Sequence, residues 1–416
     1  MRTASVWHLL RAAWAVTAVF ALSNSPTPLY VYWQRELGFS SGTLTVVFAA
    51  YIAGLVLALL IAGRAADRYG RTAVVVPGIV IALVSAGLFI TAGSVATLVV
   101  ARLLVGVAVG IVVSAGMAAV VDLGGTERRH TTSMLASTAM VSGAGLGPLL
   151  GGVVYQATSH PVGAVFTVNI VLLVLALLGY LGLPLERPAD RDRGFLWPRL
   201  PHVPTRNRID VFRGAAVFAP GLTATSFVLS LGPSLLVLAV GNTSPLLAGG
   251  AACLMFLAAT GSQIVLTRLG VQRLFALGAG STVLAMAAVV ATLSTEEPAV
   301  FLAAALLSGC GQGLGQLGGL RLIAHRVDGS RRAEANAALN ISAYLPAAIL
   351  TVATGYAISG WGLPAAVTAL AAVLGVLALL LGLSANVNIR GDRRPVHSTV
   401  ARSRPVSTTA AGDRDG

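Results

Sequence analysis

The sequence predicts an all-α membrane protein with twelve transmembrane helices in two pseudo-symmetric bundles of six. Three observations predict this fold class: an apolar composition, twelve apolar runs of membrane-spanning length, and arginines that recur on alternate connections between the runs. Of the 416 residues, 56% are hydrophobic and only 10% are charged, and the mean hydropathy is +0.83. Because soluble domains carry about 25% charged residues, most of this chain has lipid as its solvent.

The residue types that are missing exclude several kinds of cofactor. All 28 basic residues are arginine. A Walker-type phosphate site and a Schiff base with pyridoxal phosphate or retinal both need lysine, so we exclude them. Cys253 and Cys310 both lie within apolar runs, which argues against a disulfide framework and a thiolate metal site. We therefore expect no cofactor and no metal.

Twelve runs are long enough to cross a bilayer, which needs about 20 apolar residues in a helix. The connections between them are short, except for a stretch that is rich in Arg, Pro and Asp after the sixth run. The predicted limits are 12–33, 42–62, 73–92, 95–119, 133–155, 162–183, 214–240, 245–266, 274–293, 299–320, 336–358 and 363–384.

The arginines predict which side of the membrane each connection faces. If the N-terminus is cytoplasmic and the runs alternate, 26 of the 28 arginines fall in cytoplasmic segments. Arg35 lies on the other side, and Arg102 lies within a run. This distribution follows the positive-inside rule and predicts a multi-pass protein of the cell (cytoplasmic or inner) membrane with both termini inside. It also argues against a nucleic-acid partner, since such a partner needs basic residues gathered on one folded surface.

The long connection divides the chain into two halves. We predict an N-terminal six-helix bundle over 1–183, a cytoplasmic linker over 184–210, a C-terminal six-helix bundle over 211–384 and a disordered cytoplasmic tail over 385–416. An alternative reading makes the first run a cleaved signal peptide. Charge counting does not separate the two readings, because the other eleven runs keep their sidedness. The internal repeat favours a retained first helix.

Weak matches at a shift of about 200 residues indicate that repeat. Arg68 and Gly70 follow the second run, and Arg268 and Gly270 follow the eighth, where Thr267 replaces Asp67. The fourth run carries Arg102, Gly106 and Gly110 at a spacing of four. Its counterpart, the tenth, carries Ala305, Gly309 and Gly313. These matches indicate that each half is built to the same plan.

The connection between the second and third runs holds a compact motif of glycines and charges. Gly63 is expected to let two helix ends approach closely, and Gly70 to supply a positive-φ turn. Asp67 and Arg71 are expected to form a charge-assisted pair at a helix end. Arg68 lies between these two residues. The alternative interpretation of the whole motif is a plain charged loop.

The fifth run carries a second motif, a Gly-x-x-x-Gly-Pro-x-x-Gly-Gly pattern over residues 143–152. Gly143, Gly147 and Gly151 fall on one helical face, which admits a neighbouring backbone, and Pro148 removes a hydrogen bond and bends the helix. Gly152 completes the pattern. Generic packing of small residues is the alternative interpretation.

These two motifs resemble signatures of the major facilitator superfamily, and the second resembles that of its drug–proton exporters. The resemblance implies a secondary transporter with halves that alternate about a central cleft. It adds Asp122, at the cytoplasmic end of the fourth run, to Asp67 and Arg71 as a cluster that holds the halves together in the outward-open state. The alternative is that Asp122 only caps the next segment.

Arg102 matches the family's arginine in the fourth helix, which the resemblance links to proton transfer. A charge at this depth costs roughly 2.5–3.5 kcal/mol on insertion, so it is expected to face the bundle interior. Snorkelling of its side chain to the outer interface is the alternative.

Runs 1, 4, 7 and 10 line the cleft in the family, so polar residues in the first, seventh and tenth runs are candidates for contact with substrate, and the eleventh run adds two near Pro346. The first run adds two prolines, which free backbone carbonyls in mid-membrane. Each candidate has an alternative role in hydrogen bonding between helices. The candidates are Asn24, Thr27, Tyr30, Thr223, Ser226, Gln312, Gln316, Asn340 and Tyr344.

Together these features predict a lipid-embedded, monomeric exporter of small hydrophobic or weakly polar organic molecules in exchange for protons. The sequence departs from the exporter pattern in one respect, since it has no carboxylate deep in a run. Three possibilities therefore stay open: Asp122 works with Arg102, Glu36 participates, or the protein is not coupled to protons. The alternative functions are an importer of a metabolite and a membrane-embedded enzyme. The enzyme is disfavoured because no catalytic constellation lies within the runs.

Overall fold

The computed structural model describes residues 5–125, 127–185, 203, 205–241, 243–328 and 331–391. Within these residues every regular element is helical, and twelve stretches are long and apolar enough to cross a membrane. This confirms the predicted all-α membrane fold. We call the stretches spans 1 to 12.

Several spans consist of more than one helical segment. The segments are, for span 1, Val6–Asn24, the 3-10 turn Thr27–Leu29 and Tyr30–Leu37; for span 2, Ser41–Leu59 and Ala62–Tyr69; for span 3, Arg71–Ile90; for span 4, Val95–Ile111, the π-helical turn Val112–Gly116 and Met117–Gly124; for span 5, Arg129–Gln156; for span 6, Pro161–Leu181; for span 7, Thr205–Ser230 and Gly232–Ala239; for span 8, Pro245–Val265; for span 9, Val271–Thr295; for span 10, Pro298–Arg326; for span 11, Arg332–Trp361; and for span 12, Leu363–Gly391.

The structure changes the limits of two predicted segments. Span 7 begins at Thr205, inside the predicted linker, and its helix is interrupted at Leu231, just before Pro233. Span 12 continues as a helix to Gly391, past the predicted start of the tail. The rest of the predicted linker, 186–202 and 204, and the rest of the predicted tail, 392–416, lie outside the described residues.

Glycines set the closest helix contacts, and they do so in the same way in both halves. Gly106 of span 4 lies against the backbone of Tyr51 in span 2. Gly309 of span 10 lies against the backbone of Met255 in span 8. Because a Cβ at either glycine would overlap the facing carbonyl, neither position accepts a larger residue without moving a helix. The two halves therefore share the packing that the repeat predicts.

Candidate functional site

An ion-pair cluster joins spans 2, 3 and 4 at their arginine-rich ends. The Nη1 of Arg71 lies 2.9 Å from Oδ1 of Asp67, and its Nε donates to Oδ2 of Asp122 at 3.1 Å. Gly70 precedes span 3 with a φ of 91°, as the turn requires. The structure thus brings together the three charged residues of the predicted cluster. All three belong to the N-terminal half.

The other two residues of this motif differ in their surroundings. A Cβ at Gly63 would meet open space within 4 Å, so the prediction that Gly63 permits a close helix approach is wrong. The spacing pattern did not reveal this because it does not say which side of a helix has a neighbour. The guanidinium of Arg68 lies over the ring of Tyr69, with 5.1 Å between its Cζ and the ring centroid.

In the C-terminal half, the corresponding connection, between spans 8 and 9, is hydrogen-bonded to an arginine of span 10. Arg321 of span 10 donates from Nη2 to Oγ1 of Thr267 at 2.7 Å and from Nη1 to the carbonyl of Leu269 at 3.0 Å. The sequence reasoning found Thr267 in the repeat but missed Arg321. The missed signal was a basic residue at the end of span 10, where the N-terminal half has the acidic Asp122 at the end of span 4.

This arrangement yields a test of the repeat. Thr267→Asp, which restores the residue found in the first half, is expected to stabilise the protein by about 1 kcal/mol or less through an exposed ion pair with Arg321. Thermal unfolding of the purified protein measures the gain, and Thr267→Asn is the matched uncharged control. The gain should shrink in high salt. An aspartate variant no more stable than the asparagine variant would contradict the assignment.

The glycine motif of span 5 packs against two neighbouring spans. Cβ atoms at Gly143, Gly147 and Gly151 would meet the backbone carbonyls of residues 17, 21 and 25 in span 1. A Cβ at Gly152 would instead lie 2.6 Å from the carbonyl of Pro245 in span 8. The span continues as a helix through Pro148, whose carbonyl faces Gly249 of span 8. One face of the motif therefore packs within the N-terminal half, against span 1, and the other face packs against span 8 of the C-terminal half.

The described side-chain contacts between the halves also lie towards the ends opposite the arginine-rich side. Ser234 of span 7 donates to the amide oxygen of Gln34 in span 1 at 3.1 Å. A Cβ at Gly355 of span 11 would overlap the side chain of Thr45 in span 2, and one at Gly42 would lie 2.7 Å from the ring of Tyr356. The cleft between the halves is thus closed at these ends.

Arg102 is buried inside the N-terminal half, and only 2% of its surface is exposed. Its Nη1 donates to the carbonyl of Ser23 in span 1 at 2.7 Å. Its Cζ lies 5.7 Å from the ring centroid of Tyr30, 5.5 Å from Phe48 and 5.0 Å from Tyr51. This burial excludes the snorkelling alternative. The sequence reasoning named Tyr30 but missed Ser23, Phe48 and Tyr51. Phe48 and Tyr51 lie on span 2, which was not counted among the spans that line the cleft.

The substrate candidates of span 1 lie next to this arginine. The hydroxyl of Tyr30 is buried without a hydrogen-bond partner. Asn24 donates to Oγ of Ser23 at 3.0 Å. Thr27 is 3% exposed within the 3-10 turn. Tyr30 and Asn24 thus lie near Arg102, Asn24 through Ser23, and Thr27 lies in the turn that precedes Tyr30.

The candidates from the C-terminal half do not form one group. Thr223 and Asn340 donate to carbonyls of their own helices, at 2.8 and 3.0 Å, and Ser226 is 4% exposed. Gln316 accepts from Gln263 of span 8 at 3.4 Å, which is the alternative role in interhelical bonding. Two others remain candidates for cleft contact: Gln312, whose Oε1 is buried without a partner, and Tyr344, which packs at the edge of the core.

The chain matches the model of a known family over most of its length. The family model described as Major Facilitator Superfamily matches residues 12–316. The chain belongs to the major facilitator superfamily. Its family and fold indicate a transporter rather than an enzyme.

Curated relatives of this superfamily member match over shorter stretches. It is 28% identical to a triacylglyceride transporter of Mycolicibacterium smegmatis over 182 residues, which are 43% of this chain and 30% of that protein. It is 38% identical to the multidrug resistance protein MdtL of Klebsiella pneumoniae over 76 residues, which are 18% of this chain and 19% of that protein. The chain thus spans less than a third of the length of each relative.

Solved structures of similar fold cover the superfamily member almost completely. The nucleoside transporter NupG matches with a TM-score of 0.69 at 15% identity, over 91% of this chain and 98% of NupG. A bacterial homologue of the human lysosomal transporter Spinster, in an inward-facing and occupied conformation, matches with a TM-score of 0.70 at 12% identity, over 93% and 97% of the two chains. At these identities the likeness concerns the fold.

Proposed function

We propose that this protein exports small hydrophobic or weakly polar organic compounds by alternating access, in exchange for protons. The observation that carries the proposal is the glycine motif of span 5, which contacts span 1 on one face and span 8 on the other. A helix held this closely by both halves transmits movement of one half to the other. The stretch of likeness to a multidrug resistance protein supports export.

The two ends of the molecule have different tasks in this proposal. The opposite ends, where Gly355 meets Thr45, form the outer gate and are closed in the structure. Asp67, Arg71 and Asp122 brace the inner ends of spans 2 to 4 and contact the C-terminal half when the inner side closes. Arg102 takes part in coupling, with the polar candidates of spans 1, 7, 10 and 11 in the cleft between the gates.

The proposal includes an orientation and a location. The arginine-rich ends lie in the cytoplasm and the protein works as a monomer in the cytoplasmic membrane, because a positive-inside distribution fixes the topology during insertion. Accessibility mapping of single cysteines introduced near Arg128 and near Glu296 tests the sidedness. Labelling of the site near Arg128 from outside intact cells would contradict it.

Inside-out vesicles provide the test of export and coupling. Respiration acidifies their lumen and quenches an acridine dye. A substrate exchanged for protons relieves the quenching, and the relief requires this protein. A panel of antibiotics and cationic or neutral dyes identifies the substrates. Uptake that accompanies proton flow in the same direction would instead support the importer, and a response only to a sodium gradient would remove the proton assignment.

The ion-pair cluster yields a direct prediction for transport. Asp122→Asn removes the charged partner that links span 4 to Nε of Arg71, whereas Asp67 still faces Nη1. Because the brace between spans 3 and 4 is weakened, we expect transport in vesicles to fall about tenfold or more. The protein should still insert and remain folded.

The control for this variant is an acidic residue at the opposite end of the molecule. Glu296 ends span 9 in an exposed position, so Glu296→Gln removes one negative charge without touching the cluster. It should transport at the normal rate. Full activity of Asp122→Asn at normal abundance would remove the cluster from the gating proposal.

A further inference from the structure

Arg102 places a permanent positive charge inside the membrane-spanning part of the molecule. Only 2% of its surface is exposed, in the middle of an apolar helix. A guanidinium stays protonated in proteins. A buried charge is costly unless other groups satisfy both its charge and its hydrogen-bond donors. The groups around Arg102 therefore indicate what binds there.

The protein compensates this charge only in part. The carbonyl of Ser23 accepts one hydrogen bond, and the faces of three aromatic rings lie within 6 Å of Cζ. The donor Nε is buried and has no partner. Among the described residues, Arg102 forms no ion pair with an acidic side chain. The charge thus has dipoles and rings around it, but no anion.

A second unused donor lies close to the first. The hydroxyl of Tyr30 is buried without a hydrogen-bond partner, and its ring is one of the three that face the guanidinium. A carboxylate has two oxygens that accept charge-assisted hydrogen bonds, so it would satisfy the arginine charge together with these two donors. A neutral hydroxyl or amide of the ligand would leave the arginine charge uncompensated.

The surroundings of this donor pair are apolar and aromatic. Trp33 lies 6.3 Å from Tyr30 between ring centroids, and Phe89 and Phe166 stack beyond it. Phe48 closes the other side of the guanidinium. Phe48, Phe89 and Phe166 carry no polar side-chain atom, so these surroundings favour an apolar body with a single anionic group over a polyhydroxylated or multiply charged molecule.

We propose that Arg102 and Tyr30 bind the anionic group of a substrate whose remaining part is apolar, so that amphipathic organic anions form the substrate class. The inference rests on the proposed function, since it names the substrate class of the proposed exporter. It narrows the weakly polar compounds expected from the sequence to those with one carboxylate-like group. It also accounts for a buried arginine that has no acidic partner among the described residues.

Three probes that share one ring system test the charge preference. Naphthoate is anionic, naphthylmethanol is neutral and naphthylmethylamine is cationic. With the purified full-length protein in detergent, we expect naphthoate to raise the unfolding temperature and to bind about tenfold or more tightly than the other two. In Arg102→Gln that preference should disappear. Equal binding of the three probes, or an undiminished preference in Arg102→Gln, would overturn the proposal.

A second variant and an inorganic anion sharpen the test. Tyr30→Phe keeps the ring and removes only the unused hydroxyl, so it should weaken naphthoate binding several-fold and leave naphthylmethanol unaffected. If Arg102→Gln fails to fold, Tyr30→Phe alone still tests the anion site. If sodium nitrate stabilises the protein as well as naphthoate does, the site is one for inorganic anions and the substrate class is wrong.

The vesicle assay separates failure of this inference from failure of the proposed function. Naphthoate preference without substrate-dependent relief of quenching would remove proton-coupled export and leave the anion site in place. Proton-coupled export of neutral or cationic compounds without any naphthoate preference would remove the anion site and leave proton-coupled export in place.

Discussion

Gly147→Ala is expected to destabilise the protein by about 3 kcal/mol, the upper end of the cost of overpacking a helix interface. A methyl group at this position would overlap the backbone carbonyl of Ala21 in span 1. A backbone has no rotamer to change, so spans 1 and 5 must move apart and lose contacts along their length. The unfolding temperature and the folded yield after membrane extraction measure the loss.

A glycine two residues away in the same helix provides the control. A Cβ at Gly145 would lie 3.6 Å from the nearest atoms of Cys253, which is ordinary van der Waals contact. Gly145→Ala should therefore leave the unfolding temperature unchanged or raise it slightly, since alanine also favours the helix. Similar losses in both variants would mean that the helix needs glycine for another reason than contact with span 1.

Extending the change along the face should have a larger effect. Gly143 and Gly151 meet the same neighbour at one turn before and one turn after Gly147. A triple alanine variant is therefore expected to yield no folded protein. A triple variant that folds and transports would show that spans 1 and 5 separate freely, which would contradict the proposed close coupling of this helix to both halves.

The parts of this molecule that the sequence predicts best depend on spacing along one helix. Glycines at every fourth position of span 5 lie on one face in any α-helix. The spacing therefore predicts that one neighbouring helix contacts all of them, but it does not predict which helix that is. Hydropathy similarly predicts twelve spans, because the bilayer fixes their length. Opposite charges at one helix end predict the pair of Arg71 with Asp67 for an electrostatic reason, whereas its pair with Asp122 was expected only from the resemblance to the family.

The parts that the sequence did not predict depend on which element lies opposite. Gly63 has the same local signal as the packed glycines but faces open space. Tyr51 has no motif of its own and becomes notable only because its ring faces Arg102 across the interface between spans 2 and 4. Arg321 differs in charge from Asp122, so the repeat does not reveal their shared role. Each residue lies near the end of its span, beside the preceding connection of its own half, and binds a polar side chain there.

Gly355→Val is expected to hold the outer ends of the two halves apart and so to stop transport. A Cβ at Gly355 would overlap the side chain of Thr45, which is itself buried and bonded to the carbonyl of Gly42. Closing the outer side then costs about 1–3 kcal/mol more than before, which shifts the population towards the outward-open state by roughly 5- to 150-fold. The variant remains folded because the contact belongs to one state of the cycle.

Distance measurements between the halves report this shift directly. In a background without Cys253 and Cys310, spin labels at Val46 and Trp361 occupy exposed positions on spans 2 and 11. Their separation should increase in Gly355→Val. Gly360→Val is the matched control, since it lies five residues further along span 11 in open space. An unchanged separation together with normal transport would show that spans 2 and 11 do not form the outer gate, and closure would then have to depend on the contacts of span 5 with span 8.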